Sequence, residues 1–152
     1  MSLKIVKIEA DKTNVLRQTA KKFHRDEIKA FESIFKSMIT ITKNIGALGL
    51  SAPQINISLR VFVLNTGLIC INPKIHKLGN KIVTSYNEMC LSLGDRKYNV
   101  RRRRKVKLSY FNLYFKKCEF IPKSKLMNFV VQHEMDHLNG ILICDKGKKI
   151  KK

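Results

Sequence analysis

Two histidines four residues apart, His133 and His137, bracket the run His133-Glu134-Met135-Asp136-His137. On a helix, four positions are a little more than one turn, so both imidazoles leave the same face and can share one cation. Glu134, beside the first of them, then reaches a cation-bound water as its general base. The plain alternative is two hydrogen-bonded histidines in a core or on a surface. A catalytic metal site usually has three protein ligands and one open position. Downstream of the pair only Asp145 is available, whereas upstream Glu88-Met89-Cys90-Leu91-Ser92 offers a thiol. A cation stabilises a thiol as thiolate. Taken alone, Cys90 is better read as an inert buried cysteine; beside the histidine run it becomes the third ligand.

The histidine run needs a helix, and the surrounding pattern supplies one. Pro122 and Ser124 announce it, Ser124 is a candidate N-cap, and Gly140 is placed to end it after about Asn139. Leu126, Phe129 and Val130 form one apolar stripe, and Met127, Val131 and Leu138 another. A helix apolar on more than one side belongs in the middle of its domain, where ionisable groups must be paired or metal-bound. An earlier amphipathic helix is predicted over residues 26–43, with Asp26 as N-cap and Gly46 just past its end. Residues 46–54 read as a glycine-containing loop. Apolar runs over 59–64 and 68–71 flank Asn65-Thr66-Gly67 as a hairpin, and 82–86, 105–111 and 117–121 read as further strands. The tail from Lys146 reads as frayed.

The 152 residues fit one domain, spanning 1–152, with 44% hydrophobic residues to build a core. Thirty-one Lys and Arg against 11 Asp and Glu give +20, a field that favours RNA and other polyanions; a solvated lysine-rich surface is the plain alternative. No run approaches the roughly 20 apolar residues needed to span a bilayer, and residues 1–10 lack the apolar stretch of a signal peptide. Four scattered cysteines without a C-x-x-C pair suit a reducing, cytoplasmic setting. Cys70, Cys118 and Cys144 read as small buried apolar side chains.

Three segments resemble, in order, the three motifs of the peptide deformylases: Gly49-Leu50-Ser51-Ala52-Pro53-Gln54, Glu88-Met89-Cys90-Leu91-Ser92, and Gln132-His133-Glu134-Met135-Asp136-His137-Leu138-Asn139-Gly140. Leu16-Arg17-Gln18-Thr19-Ala20 resembles a fourth family segment. The resemblance implies an α+β fold, antiparallel sheets packed around a central helix that carries the histidines. It implies a metal-dependent hydrolase that removes the formyl group from the N-terminal formyl-methionine of nascent polypeptides. The implied cofactor is one divalent cation, iron(II) in the usual case, with zinc, nickel or cobalt able to take its place. Cys90, His133 and His137 are then the ligands, and Glu134 is the general acid/base. By the same resemblance Gln54 and the Leu91 N–H stabilise the oxyanion, one such donor being worth about 3 kcal/mol of barrier. Leu48, Gly49 and Met89 are implied substrate contacts, and Arg102 is expected to pair with Glu88 behind the cysteine.

Met89 is the main departure, standing where the motif has glycine; the expectation is a regular strand whose Met89 reshapes the cleft. Ser51 and Ala47 are milder changes. Arg101-Arg102-Arg103-Arg104-Lys105 precedes a predicted strand, and alternation there sends side chains to both faces. A ribosome or RNA contact through the basic surface is a further expectation. Two competing readings remain: a non-catalytic relative that binds RNA or ribosomes, and a metallopeptidase that cuts internal bonds.

Overall fold

Ser124 opens the central helix as its spacing predicts: its side chain accepts from the Met127 N–H at 3.0 Å, filling one of the bonds a helix start leaves unmade. That helix, α2 (Lys125–Leu138), ends where Gly140 turns to φ +69°. A Cβ on Gly140 would lie 2.6 Å from the Arg17 carbonyl oxygen, so the position needs glycine for space as well as angle. Arg60 Nη1 donates to the Leu138 carbonyl at 3.1 Å, placing a cation at the negative end of the helix.

The computed structural model describes residues 3–150. The other elements are α1 (Ile28–Asn44), β1 (Gly49–Ser51), β2 (Val61–Leu64), β3 (Ile69–Lys77), β4 (Ile82–Cys90), β5 (Gly94–Arg103), β6 (Val106–Phe111), β7 (Lys117–Phe120), α3 (Ile143–Lys146) and β8 (Gly147–Lys149). They form two antiparallel sheets, a five-stranded one in the order β1-β2-β3-β6-β7 and a three-stranded one in the order β4-β5-β8.

Helix α2 packs against both sheets. Val131, Met135 and Leu138 meet Phe62, Leu64 and Leu108 of the larger sheet. On another side, Gln132 behaves like a strand peptide: it accepts from the Arg103 N–H and donates to the Arg103 carbonyl, both at 2.9 Å. Asn128 accepts from the Val106 N–H at 2.9 Å. These two amides join the end of β5 to the start of β6 through the helix, so the buried backbone there keeps its partners. Helix α1 covers the opposite flank, with Phe35 and Met38 buried against Phe23, Val61 and Val63.

Several sequence expectations change. Helix α1 begins after a 3-10 turn, Arg25–Glu27, and Glu27, not Asp26, stands at its N-cap position; the Glu27 carboxylate accepts from the His24 N–H at 2.6 Å, which closes the start of the 3-10 turn. The 46–54 loop contains strand β1 and a 3-10 turn, Ala52–Ile55. The arginine run precedes β6 as expected, but Arg101–Arg103 are themselves the end of β5, whose polar composition hides it from a hydrophobic pattern. The stretch from Lys146 is not frayed, since β8 pairs with β5; residues 1, 2, 151 and 152 lie outside the described part. Cys70 is buried, but Cys118 and Cys144 are half-buried, Cys144 lying beside the Arg17 guanidinium.

Candidate metal centre and its cleft

The three predicted ligands come from two parts of the chain. Cys90 ends β4, and His133 and His137 stand one turn apart on α2. Their sulfur and ring nitrogens all lie within 4.8 Å of one another. Cys90 Sγ is 3.3 Å from His137 Nε2, and the two imidazole centroids are 5.0 Å apart. Burial pushes the Cys90 thiol up, but the His137 and His133 rings outweigh it and hold the thiol well below its usual range. One soft thiolate and two imidazoles in a buried triangle fit a divalent transition metal.

Glu134 shares the helix and faces the same space. It is buried, its Oε2 has no hydrogen-bond partner, and burial raises its pKa against the pull of the two histidines. Among the described residues only Glu134 Oε2 and His137 Nδ1 are buried side-chain atoms of this kind. An unsatisfied buried carboxylate oxygen is costly and marks a position prepared for a proton-bearing partner. Gly49 makes the room. A Cβ there would sit 2.7 Å from Glu134 Oε1, so the glycine expected to admit substrate also admits the carboxylate.

Behind the triangle lies a charge network. Arg102 is 2% exposed; its Nε and Nη2 grip Glu88 at 2.5 and 2.7 Å, and its Nη1 reaches Asp136 at 2.9 Å. Glu88 Oε2 meets His133 Nδ1 at 3.3 Å, and Lys146 Nζ completes the shell of Asp136 at 2.9 and 3.0 Å. Burial alone raises the pKa of Glu88, but the bonds from Arg102 and His133 bring it down to about 2. The resulting carboxylate fixes the His133 ring with Nε2 toward the triangle. The Glu88–Arg102 pair was expected; Asp136 and Lys146 were not. Their signal was an aspartate inside a buried helix, which required a cation.

Gln54 sits beside the cysteine. Its Oε1 accepts from the Ser51 N–H and hydroxyl at 3.0 and 3.1 Å, which turns Nε2 toward Cys90 Sγ at 3.7 Å and Ser92 Oγ at 3.4 Å. Ser51, a departure from the motif, thus helps to orient the amide. Leu91 opens a 3-10 turn directly after Cys90, and its carbonyl accepts from Lys7 Nζ at 2.6 Å.

These groups line a cleft of about 520 Å³ whose walls include Leu48, Gly49, Met89, Leu126 and Phe129. The Leu126–Phe129–Val130 stripe lines the cleft, with Leu126 exposed, Phe129 buried and Val130 also packed against the larger-sheet core. The strand at Met89 is irregular, contrary to expectation: the β4–β5 register shifts on both sides of Glu88, and Asn87 has φ +57°. Met89 itself has no left-handed φ and is 50% exposed at the cleft wall.

A family model described as polypeptide deformylase matches residues 3–152. A peptide deformylase of Fusobacterium nucleatum is 35% identical over 150 residues, covering 93% of this chain and 83% of that one. The crystal structure of the Thermotoga maritima peptide deformylase superposes with a TM-score of 0.84 at 31% identity, over 96% of this chain and 97% of that one. The Plasmodium falciparum peptide deformylase in complex with an inhibitor gives 0.81 at 34%, over 95% and 89%. With its fold, its three motifs and this likeness over nearly its whole length, the chain belongs to the polypeptide deformylase family.

Proposed function

We propose that the chain hydrolyses the formyl amide of N-formyl-methionyl peptides at the Cys90–His133–His137 centre. The observation that carries this reading is the unpartnered Glu134 carboxylate oxygen buried beside three converging metal-ligand atoms. We assign the ligand roles to those three residues, with iron(II) as the cation by resemblance and zinc, nickel or cobalt compatible with the same donors. When bound, the cation supplies an acidified water and polarises the carbonyl.

The chain's own groups do the rest. Glu134 takes a proton at Oε2 and returns it to the leaving amine nitrogen, a role favoured by a carboxyl whose pKa burial has raised. Gln54 Nε2, fixed through Ser51, faces the developing oxyanion. The Leu91 N–H joins it because the first N–H groups of a helical turn have no partner inside that turn. Strands β1 and β4 are edges of their sheets and both border the cleft. An extended peptide can therefore add to an edge with its backbone, leaving side chains to the walls. Leu48, Gly49 and Met89 are the proposed contacts. Residues 1–152 form one catalytic domain in this reading. All four cysteines are free, and no helix of the described residues is long and apolar enough to cross a membrane; the free thiols support a reducing, cytoplasmic setting.

The test is formate release from a formyl-Met peptide by iron-loaded protein kept anaerobic, beside Glu134→Gln. We expect turnover to fall about 10²–10⁴-fold in the variant. Absence of turnover in metal-replete native protein, or equal turnover in both, would overturn the assignment.

A further inference from the structure

The smaller sheet has one face on α2 and one in solvent. Along β5, Tyr98, Val100 and Arg102 point inward and are buried, so Lys97, Asn99, Arg101 and Arg103 point outward. Lys148 of β8 stands opposite Asn99, and Thr84 and Ile82 of β4 stand opposite Arg101 and Arg103. Tyr86, 70% exposed, is next on β4 beside the cleft. Asp95, at the cleft end, is the one carboxylate in this outward row.

Some surface cations elsewhere are neutralised by neighbours. Lys36 on α1 is paired with Glu32, and Lys107 on the larger sheet with Glu119. Among the described residues, no carboxylate lies within ion-pair distance of Lys97, Arg101, Arg103 or Lys148. A strand spaces its outward side chains by roughly 7 Å, so Lys97 to Arg103 is a row of about 20 Å. Such a row repels itself unless a polyanion neutralises it.

We propose that the outer face of the β4–β5–β8 sheet binds single-stranded RNA. Phosphates pair with Lys97, Arg101, Arg103 and Lys148, and a base stacks on Tyr86. RNA fits better than an anionic membrane because the exposed apolar content of the face is slight, Ile82 and one aromatic, too little to enter a lipid layer. The inference stands apart from the hydrolytic reading, since neither the cation nor Glu134 takes part.

The decisive measurement is fluorescence anisotropy of a labelled mixed-sequence single-stranded RNA across a salt series. Native protein is compared with the triple variant K97E, R101E and K148E, and with a control of equal charge change on the other flank, K22E, K29E and K43E. All six residues are exposed. We expect the sheet variant to bind at least about tenfold more weakly than the control, with its log–log salt slope reduced by about 2. Equal weakening in both variants would show that net charge alone binds RNA and would overturn the proposal. So would absence of RNA binding by native protein at low salt. Binding to phosphatidylcholine–phosphatidylserine vesicles at salt that abolishes RNA binding would assign the face to membranes instead.

Discussion

Helices α1 and α2 are of similar length but opposite design. Helix α1 buries Phe35, Met38 and one polar residue, Thr42, whose hydroxyl donates to the Ile39 carbonyl in its own helix. Helix α2 buries Asn128, Gln132, Glu134, Asp136 and His137 in a single stretch. Asn128 and Gln132 are satisfied by strand backbone, and Asp136 by Arg102 and Lys146. Glu134 Oε2 and His137 Nδ1 are not satisfied. One helix is built to pack. The other accepts the cost of buried polar groups at the site where we propose that the chemistry takes place.

Substitutions should separate the two designs. Phe35→Ala empties a packed site and should cost about 3–5 kcal/mol in denaturant unfolding, while formate release per folded molecule stays at the native value. Arg102→Met strands Glu88 and Asp136 and should cost a similar 3–5 kcal/mol, but here metal retention in dialysis should fall as well. This network also sets an acid limit. Arg102 holds the Glu88 pKa at about 2, below its ordinary value. Its stabilisation is therefore complete above pH ~4.3 and is lost as pH falls toward 2. An acid titration of the native protein should show this loss, and Arg102→Met should lack it.

Gly49→Ala is smaller in stability and specific in effect. The added Cβ displaces the Glu134 carboxylate, and turnover should fall on the order of 10²-fold with an unfolding midpoint near native. Smallest is Met89→Gly, which should alter the preference for the residue after methionine by about tenfold, read as a ratio of kcat/KM values for apolar and polar second residues. An unchanged ratio would make Met89 neutral.

Much of this division was readable in the residues. The histidine spacing, the N-cap at Ser124 and the stop at Gly140 are local signals, and each is in place. The convergence of the Cys90 region on that helix was inferred from the need for a third ligand and strengthened by motif resemblance, because nothing local in β4 announces a partner. Strand β5 was missed because its inward positions include Arg102, a cation where a pattern expects an apolar residue. Strand β8 was missed because Gly147-Lys148-Lys149 reads as tail, although backbone pairing with β5 fixes it. The Asp136–Lys146 contact joins residues from two elements, and only the fold brings them together. Side-chain pairing across elements was the least readable level, since it depends on register.

The account turns on one thiolate and two imidazoles sharing a cation. X-ray absorption on zinc-loaded protein should find one sulfur at about 2.3 Å and two imidazole nitrogens at about 2.0–2.1 Å, with the sulfur lost in Cys90→Ser. A bound metal with no sulfur neighbour in the native protein would contradict it.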